Sequence, residues 1–549
     1  MASSAENKAA NPGPSEPTCH WPAWVLSSVS VGLLSLPLAL SFWSGGDTKS
    51  LDDIRKYELR EAAAWPIRPK NAEALEAYPK AIESYVNDHF ALRDVLVSLH
   101  HGFKYRLGIS PVQNATIGKD GWLFYSDPTE WEDVRGLASI SFVQKVRWCV
   151  YLNRIHDSLG KQGIPFLFVI APDKSSIYPE YLPGNLQGAR NKHRLNDLLA
   201  FLKENHCRAN ILDLRDPVLS QKALGALYYK LDTHWNNLGA AFGARQILLK
   251  LRELGVRVKV DAVSSAAFDY KLTPSGDLMG FMHQQGAEMA PFWKQIPDSE
   301  CEKEDENADL CALFPNLPAK SVFRSVTRSR NGQERLLLFR DSFSVGMVPS
   351  LAPQFAWTGY VWEHPSESEV INAVQKLKPT VVVWETLERT LWLLRAEGPN
   401  YDSPRVVFDF LPGRTFEWSK KWRDSLSASP DVTNLEATDD KISAVVTAGS
   451  KSRIYLKKIP SFGRGNKMLH CKVESPGTTT FIIRGESSED GNSEKFSWRT
   501  AIHAGENDVL VVLPEKSLKG TLRIEFGDVN GKYEIHQLAV RTEIPSSSR

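Results

Sequence analysis

A mainly parallel α/β sheet covered by helices, followed by a β-sandwich, is the architecture this sequence predicts, and three observations predict it. Apolar runs of strand length at 165–171, 211–214, 335–339 and 380–385 alternate with helical patterns at 142–159, 192–204 and after 235. Buried strands alternating with helices belong to parallel sheets covered on both faces. The run Leu336-Leu337-Leu338-Phe339 then ends abruptly in Arg340-Asp341-Ser342, a polar strand end of the kind that faces the ligand-binding edge of an open sheet. Beyond Pro412 the texture changes to short strand-like runs at 478–484, 508–513 and 521–526, punctuated by Gly, Ser, Asn and Asp, which predicts a sandwich over about 425–545.

The 549 residues exceed what one hydrophobic core serves, so at least two domains are expected. A formal net charge of +1 gives no basis for a nucleic-acid partner. The 16 tryptophans and 15 tyrosines suit a protein that handles sugars. Residues 1–23 read as a flexible cytoplasmic tail. No Asp, Glu, Lys or Arg occurs from Pro17 to Gly46, and the stretch 24–43 is mostly apolar with a tryptophan at each end, long enough to cross a bilayer. A cleaved signal segment is the competing reading, but the first 20 residues carry one Lys and no Arg, and no clean small-x-small site follows Ser41. An uncleaved anchor is therefore expected.

Residues 44–115 read as helical and membrane-proximal, with Ile82, Tyr85, Val86, Phe90 and Leu96 at helical spacing and His89 as a packing or surface histidine. At 117–125 a Gly-Lys-Asp-Gly turn feeds the aromatic strand Trp122-Leu123-Phe124-Tyr125. Asp173-Lys174 follows the strand at 165–171, and Lys174 is either a contact for an anionic substrate or a solvated loop lysine. Asp232-Thr233-His234-Trp235 turns into a helix for which Asp232 is a candidate N-cap. Residues 253–334 read as loop-rich. Glu385 and Arg389 lie at the same predicted sheet edge as Ser342, where an internal salt bridge is the simpler reading of both. Cys301 and Cys311 bracket a hydrophilic stretch that a disulfide would close in an exported domain. No cysteine spacing matches a zinc pattern, so no metal site is read.

A serine nucleophile needs a base that is itself oriented by a third group. Ser342 at its strand end, with Asp232 and His234 two residues apart elsewhere, supplies all three types: the carboxylate fixes the imidazole tautomer, and the imidazole takes the serine proton. An acyl-enzyme follows from such an attack. Whether water or a sugar hydroxyl then takes the acyl group is not encoded in the spacing.

These residues also fall into a known order. Asp88-His89-Phe90 with Leu92-Arg93-Asp94, then Gly118-Lys119-Asp120-Gly121-Trp122-Leu123-Phe124-Tyr125, come first. Ala171-Pro172 with Lys174 and Ile177-Tyr178-Pro179-Glu180 follow, then Asp232-Thr233-His234-Trp235, Gly276-Asp277-Leu278 and Arg340-Asp341-Ser342-Phe343. In this order they resemble the alginate O-acetyltransferase AlgX/AlgJ family over roughly residues 80–390. The resemblance implies an SGNH-hydrolase-like catalytic domain at 116–412, with Asp232, His234 and Ser342 as its triad. Lys174, Tyr178, Trp235, Arg340, Glu385 and Arg389 are then candidate substrate contacts. It further implies a periplasmic, inner-membrane-anchored O-acetyltransferase with no cofactor. The acceptor would be an exopolysaccharide, alginate or similar, and the acetyl donor a membrane-bound O-acyltransferase drawing on cytoplasmic acetyl-CoA. The sandwich at 425–549 is similar to the carbohydrate-binding module of AlgX. Arg340 stands where SGNH enzymes usually carry Gly, leaving the Ser342 backbone N–H as the one oxyanion donor with a rationale. A polysaccharide acetylesterase using the same triad, and a non-catalytic polysaccharide-binding assembly protein, are the alternative expectations.

Overall fold

The structure, a computed structural model, describes residues 60–543 apart from the short stretches 187–193, 393–403, 411–412, 418–424, 448–451, 463–466, 490–491 and 514–516 and single residues 206, 306 and 319; before residue 60 it describes only scattered positions. Most of the apolar segment 24–43 lies outside the described residues. Among the described residues, no helix is long and apolar enough to cross a membrane.

The strands of the first lobe are β1 (Ala115–Ile117), β2 (Leu123–Tyr125), β3 (Phe166–Ala171), β4 (Asn210–Asp213), β5 (Phe268–Pro274), β6 (Ala287–Trp293), β7 (Glu302–Asp305), β8 (Arg324–Arg328), β9 (Arg335–Phe339), β10 (Trp357–Val361) and β11 (Val381–Leu387). Seven form one sheet in the order β4-β3-β11-β9-β10-β8-β7. The five from β4 to β10 run parallel, and β8 and β7 are added antiparallel at one edge. All six residues of β3 are buried. Phe166, Phe168 and Ile170 enter one core with the helices Phe142–Gly160, Arg194–Glu204 and Glu367–Leu377, while Leu167, Val169 and Ala171 enter a second core with the helix Asn237–Glu253. The period of two along a strand divides its side chains between two apolar layers. Strands β9 and β11 divide theirs in the same way.

Helix starts follow their side-chain chemistry. Ser141 and Gln144 form a reciprocal capping box, as do Ser366 and Glu369, so both exposed first-turn N–H groups and the cap backbone are satisfied. Asp232 is not the cap expected for the following helix: Asn236 holds that position, its Oδ1 accepting from Leu238 and Gly239 N–H. That leaves the Asp232 carboxylate free for another partner.

The stretch 253–334 corrects the loop-rich expectation. It contains the antiparallel pair β5–β6 and the strands β7 and β8 that extend the main sheet. Strand β7 reads Glu-Lys-Glu-Asp, and an edge strand of four charged residues, three of them exposed, carries no apolar alternation to detect. Cys301 and Cys311 flank it as free thiols.

Before the sheet, the helices Ala72–His89 and Arg93–Arg106 meet at Leu92, whose φ of 67° turns the chain. Buried Asp88 accepts from Arg60, and Arg93 donates to Glu58 at 2.6 Å, so this motif braces the N-terminal helices. His89 stacks on Tyr85 at 4.0 Å, a packing role. After the first lobe, the chain enters two packed sheets of six and five strands around one apolar core. Strand Gly413–Glu417 pairs with Gly531–Glu543, so the sandwich begins earlier than residue 425.

Candidate active site

Strand β9 ends at Phe339, and Arg340, Asp341 and Ser342 emerge at its C-terminal end, beside the ends of β10 and β11. Buried Asp341 pins this turn. Its Oδ1 accepts the Phe343 N–H at 2.8 Å and its Oδ2 accepts the Leu387 N–H at 2.7 Å, tying the turn to the end of β11. Ser342 has ordinary helical angles, φ −66° and ψ −27°, and is half-buried, so its hydroxyl is presented without backbone strain.

The second element is the turn 232–235 ahead of the helix Asn237–Glu253. Trp235 is buried, and its Nε1–H donates to Phe343 O at 2.8 Å. This bond links the turn to the residue next to Ser342, and the His234 ring lies 5.0 Å from that of Phe343. His234 Nε2 sits 2.8 Å from Ser342 Oγ, and His234 Nδ1 sits 2.7 Å from Asp232 Oδ1. The same carboxylate oxygen accepts the His234 backbone N–H at 2.8 Å. Carboxylate, imidazole and hydroxyl thus form one hydrogen-bonded line across two chain segments, the 232–235 turn and the end of β9. With Nδ1–H donated to Asp232, Nε2 is the free acceptor for the serine proton.

Burial pulls the His234 pKa down, but the hydrogen bond and charge of Asp232 outweigh it and leave the pKa above its ordinary value. Burial pushes Asp232 up, yet its hydrogen bonds to His234 leave the carboxyl below its usual range. An ionised Asp232 beside a histidine that readily takes a proton is the electrostatic condition for general-base action.

Two residues absent from the predicted site complete it. Asp277 N–H donates to Asp232 Oδ2 at 3.0 Å, and the Asp277 carboxylate accepts both the N–H and the hydroxyl of Thr233, at 2.8 and 2.6 Å. The two acidic residues therefore lock each other's loops. The signal was in the sequence as Gly276-Asp277, but no local pattern pairs that dipeptide with Asp232.

Asp232, His234 and Asp277 each bring one ligating atom within 4.8 Å of the others, the spacing of a cation cluster. Each is already engaged in hydrogen bonds, Asp232 and Asp277 to N–H and O–H donors and His234 through both ring nitrogens. The donor set fits a proton relay.

The six candidate substrate contacts are placed differently from expectation. Lys174 is neither a ligand contact nor a solvated lysine: it is buried, and its Nζ donates to the carbonyls of Leu123, Lys230 and Asp232 at 2.6, 3.0 and 2.8 Å. Tyr178 is buried with its hydroxyl accepting from Leu227 N–H. Trp235 serves the bond to Phe343 already described. Arg340 is buried, donates to Val322 O at 2.7 Å and lies 5.6 Å from both the Tyr360 and Trp362 rings. Glu385 is fully buried and accepts from Asp341 N–H and Ser344 Oγ, and burial pushes its pKa well up; its hydrogen bonds go to these groups and not to Arg389. Arg389 pairs with Asp173 and lies over the Tyr125 ring at 4.5 Å. All six are engaged in internal hydrogen bonds or ion pairs, as buried polar groups are.

Residues 115–323 match the family model described as SGNH hydrolase-like domain, acetyltransferase AlgX. The match includes Asp232 and His234 and ends ahead of β9, so Ser342 rests on the geometry. The chain is 24% identical over 335 residues to the probable alginate O-acetylase AlgJ of Pseudomonas aeruginosa, covering 61% of this chain and 78% of that one. It is 26% identical over 350 residues to the probable alginate O-acetylase AlgJ of Pseudomonas syringae pv. tomato, covering 57% and 78%. Among solved structures, the O-acetyltransferase domain of Pseudomonas putida AlgJ aligns with a TM-score of 0.31 at 18% identity, covering 54% of this chain and 98% of that domain. Pseudomonas aeruginosa AlgX aligns with a TM-score of 0.33 at 14% identity, covering 78% and 95%. The chain carries an SGNH hydrolase-like domain of the AlgX kind, and over 57–61% of its length it is similar to the probable alginate O-acetylases AlgJ.

Proposed function

We propose that this protein is an O-acetyltransferase that places acetyl groups on hydroxyls of a bacterial exopolysaccharide, alginate or one similar to it. The observation that carries the reading is the unbroken line from Asp232 through His234 to Ser342, with bonds of 2.7 and 2.8 Å. Relatives named as probable alginate O-acetylases support the acetyl group and the glycan acceptor.

In the first half-reaction Ser342 Oγ attacks the acetyl carbonyl of the donor while His234 Nε2 takes the hydroxyl proton. Asp232 stabilises the imidazolium through Nδ1. The tetrahedral oxyanion is met by the Ser342 backbone N–H, and its collapse expels the donor's leaving group, which takes the proton back from His234. Acetyl-Ser342 remains. A sugar hydroxyl then loses its proton to His234 and attacks the acetyl carbon, and Ser342 leaves with that proton restored. Side chains at the triad are part-exposed, His234 by 31% and Asp232 by 18%, which admits a polymer hydroxyl to the line.

We place the protein in the inner membrane through residues 24–43, with the catalytic domain and the sandwich in the periplasm. A membrane-bound O-acyltransferase would deliver the acetyl group there, and the sandwich is the part we assign to polysaccharide contact. The test is incubation with an activated acetyl ester followed by intact mass and peptide mapping. An acetyl adduct on Ser342, lost in Ser342→Ala and His234→Ala, is expected, with transfer to added oligosaccharide exceeding release of acetate. Acetate release unaffected by the oligosaccharide would make the protein an esterase, and absence of adduct and turnover across several donors would overturn the serine chemistry.

A further inference from the structure

The helix Arg93–Arg106 has two unlike faces. On one, the Ser98 hydroxyl donates to His283 O at 3.0 Å, the His101 ring bonds Met282 O at 3.0 Å, and Gln284 Nε2 donates to Ser98 O at 2.7 Å. Gly102 lies so close that a Cβ there would stand 2.9 Å from Gln284 Oε1. Tyr105 packs into a small core with Leu278 and Met282. These contacts fix which face meets the body.

The other face carries Val95, Leu96, Leu99 and Phe103, with the flanking Leu92 and Leu107, and the i, i+3, i+4, i+7 pattern from Leu92 through Leu99, continued every four residues by Phe103 and Leu107, aligns them along one side. All six are exposed, Leu99 by 65% and Phe103 by 66%. Ile109 extends the stripe beyond the helix, and Trp65 and Ile67, just ahead of the preceding helix, are exposed as well. Contiguous apolar surface of this kind on a protein surface marks an interaction site.

We propose that this stripe lies on the surface of a lipid bilayer, with the helix parallel to the membrane plane and its apolar side chains in the headgroup and upper acyl region. The inference rests on the proposed membrane role of residues 24–43. Only residues 44–71 separate that segment from the two helices, so they are tethered beside whatever holds it. Lys104 and Arg106 in the last turn, at the Phe103–Leu107 end of the stripe, add cationic side chains that suit anionic headgroups. Docking there would hold the catalytic lobe at the membrane through the contacts to Met282, His283 and Gln284.

The test uses the full chain in nanodiscs containing anionic lipid, with an environment-sensitive fluorescent amino acid placed at position 99 or, in a separate preparation, at position 31. Nitroxide-labelled lipids then report contact. Docking predicts a blue shift at position 99, loss of most of its intensity to nitroxides near the headgroup, and recovery of that intensity in a Phe103→Asp background. Quenching at 31 without quenching at 99 would overturn the docking while leaving the anchor in place. Quenching at 99 alone would keep the docking and remove the anchor, and quenching at neither overturns both. A position-99 probe shielded from water yet untouched by every nitroxide, and photocrosslinking to a second copy, would replace the bilayer with self-association. Turnover of a soluble acetyl ester should stay unchanged in Phe103→Asp, which shows that the variant is folded.

Discussion

Gly276 stands where no side chain fits, because a Cβ built on it would lie 1.5 Å from Asp232 Oδ2. Its backbone is not in the left-handed region, φ being −89°, so the requirement is one of space. The contact exists because the next residue donates its N–H to that same oxygen at 3.0 Å, drawing the loop against the carboxylate. Gly276→Ala should therefore leave the fold intact and displace Asp232 from His234. A misplacement of this size typically costs about 10²-fold in turnover. Ester kinetics beside circular dichroism would check it, and a fully active Gly276→Ala would mean that Asp232 does not need its observed position.

The pH dependence follows from the direction of the His234 shift. The base works only as neutral imidazole, so activity should fall as pH drops through a pKa raised above the ordinary histidine value by Asp232. Asp232→Asn removes the charge that raises it and should carry the acid limb of the profile to lower pH. It should also cut turnover on the order of 10³–10⁴-fold, since the imidazole loses its fixed tautomer. Stability runs the other way. A raised folded-state pKa gives a contribution complete below the unfolded value of about 6.5 and lost as pH rises through the folded value. A pH–rate profile of both proteins tests the first claim, and an acid limb that does not move in Asp232→Asn would refute it.

Lys174 gives a prediction about stability and geometry together. Its three carbonyl acceptors belong to Leu123 in β2 and to Lys230 and Asp232 in the catalytic turn, so one ammonium joins the aromatic hairpin to the triad loop. Three acceptors call for three donors, the charged form, although burial drives its pKa down to about 7. Lys174→Met keeps the length and removes every donor, taking the ammonium from all three carbonyls, of which Lys230 O keeps the Leu123 N–H at 3.0 Å. The expected loss is at least about 2 kcal/mol of stability, with turnover reduced as the 230–232 segment relaxes. Denaturant titration and ester kinetics would measure the two effects; a variant as stable as the parent would show that water replaces the ammonium.

The sequence disclosed what obeys local rules. Strand β3 is apolar throughout, and the helix Phe142–Gly160 opens on a Ser-x-x-Gln box, so both were legible within a residue or two. Asp232, His234 and Ser342, which the structure brings into one hydrogen-bonded line, were singled out by residue type and by a strand that ends in polar residues. Strand β7 was hidden because its four residues are charged and pair only at an edge. The partnership of Asp277 with Asp232 and Thr233 spans more than 40 positions and has no periodic signature. Lys174 was misread because a lysine after a strand end looks solvated or ligand-facing in sequence, and only tertiary packing supplies the carbonyls that enclose it, whereas the internal salt bridge read for Arg389 is present with Asp173.

Arg389 separates structural from electrostatic effects on the triad. It pairs with buried Asp173, lies against the Tyr125 ring and offsets the charge of Glu130 nearby. Removing it strands a buried carboxylate, which typically costs about 3–5 kcal/mol. Burial already pushes both Asp173 and Glu130 up, with the positive charge of Arg389 opposing it. Part of the loss is therefore recovered at acid pH, where the stranded groups take up protons. The same guanidinium charge also lowers the His234 pKa across the site. Arg389→Met should thus be destabilised most near neutrality, less so at low pH, and should shift the acid limb of activity to higher pH, opposite to Asp232→Asn. Thermal melts over a pH series with matched rate profiles would read both effects. A shift in the same direction for the two variants would show that their effect on His234 is not Coulombic.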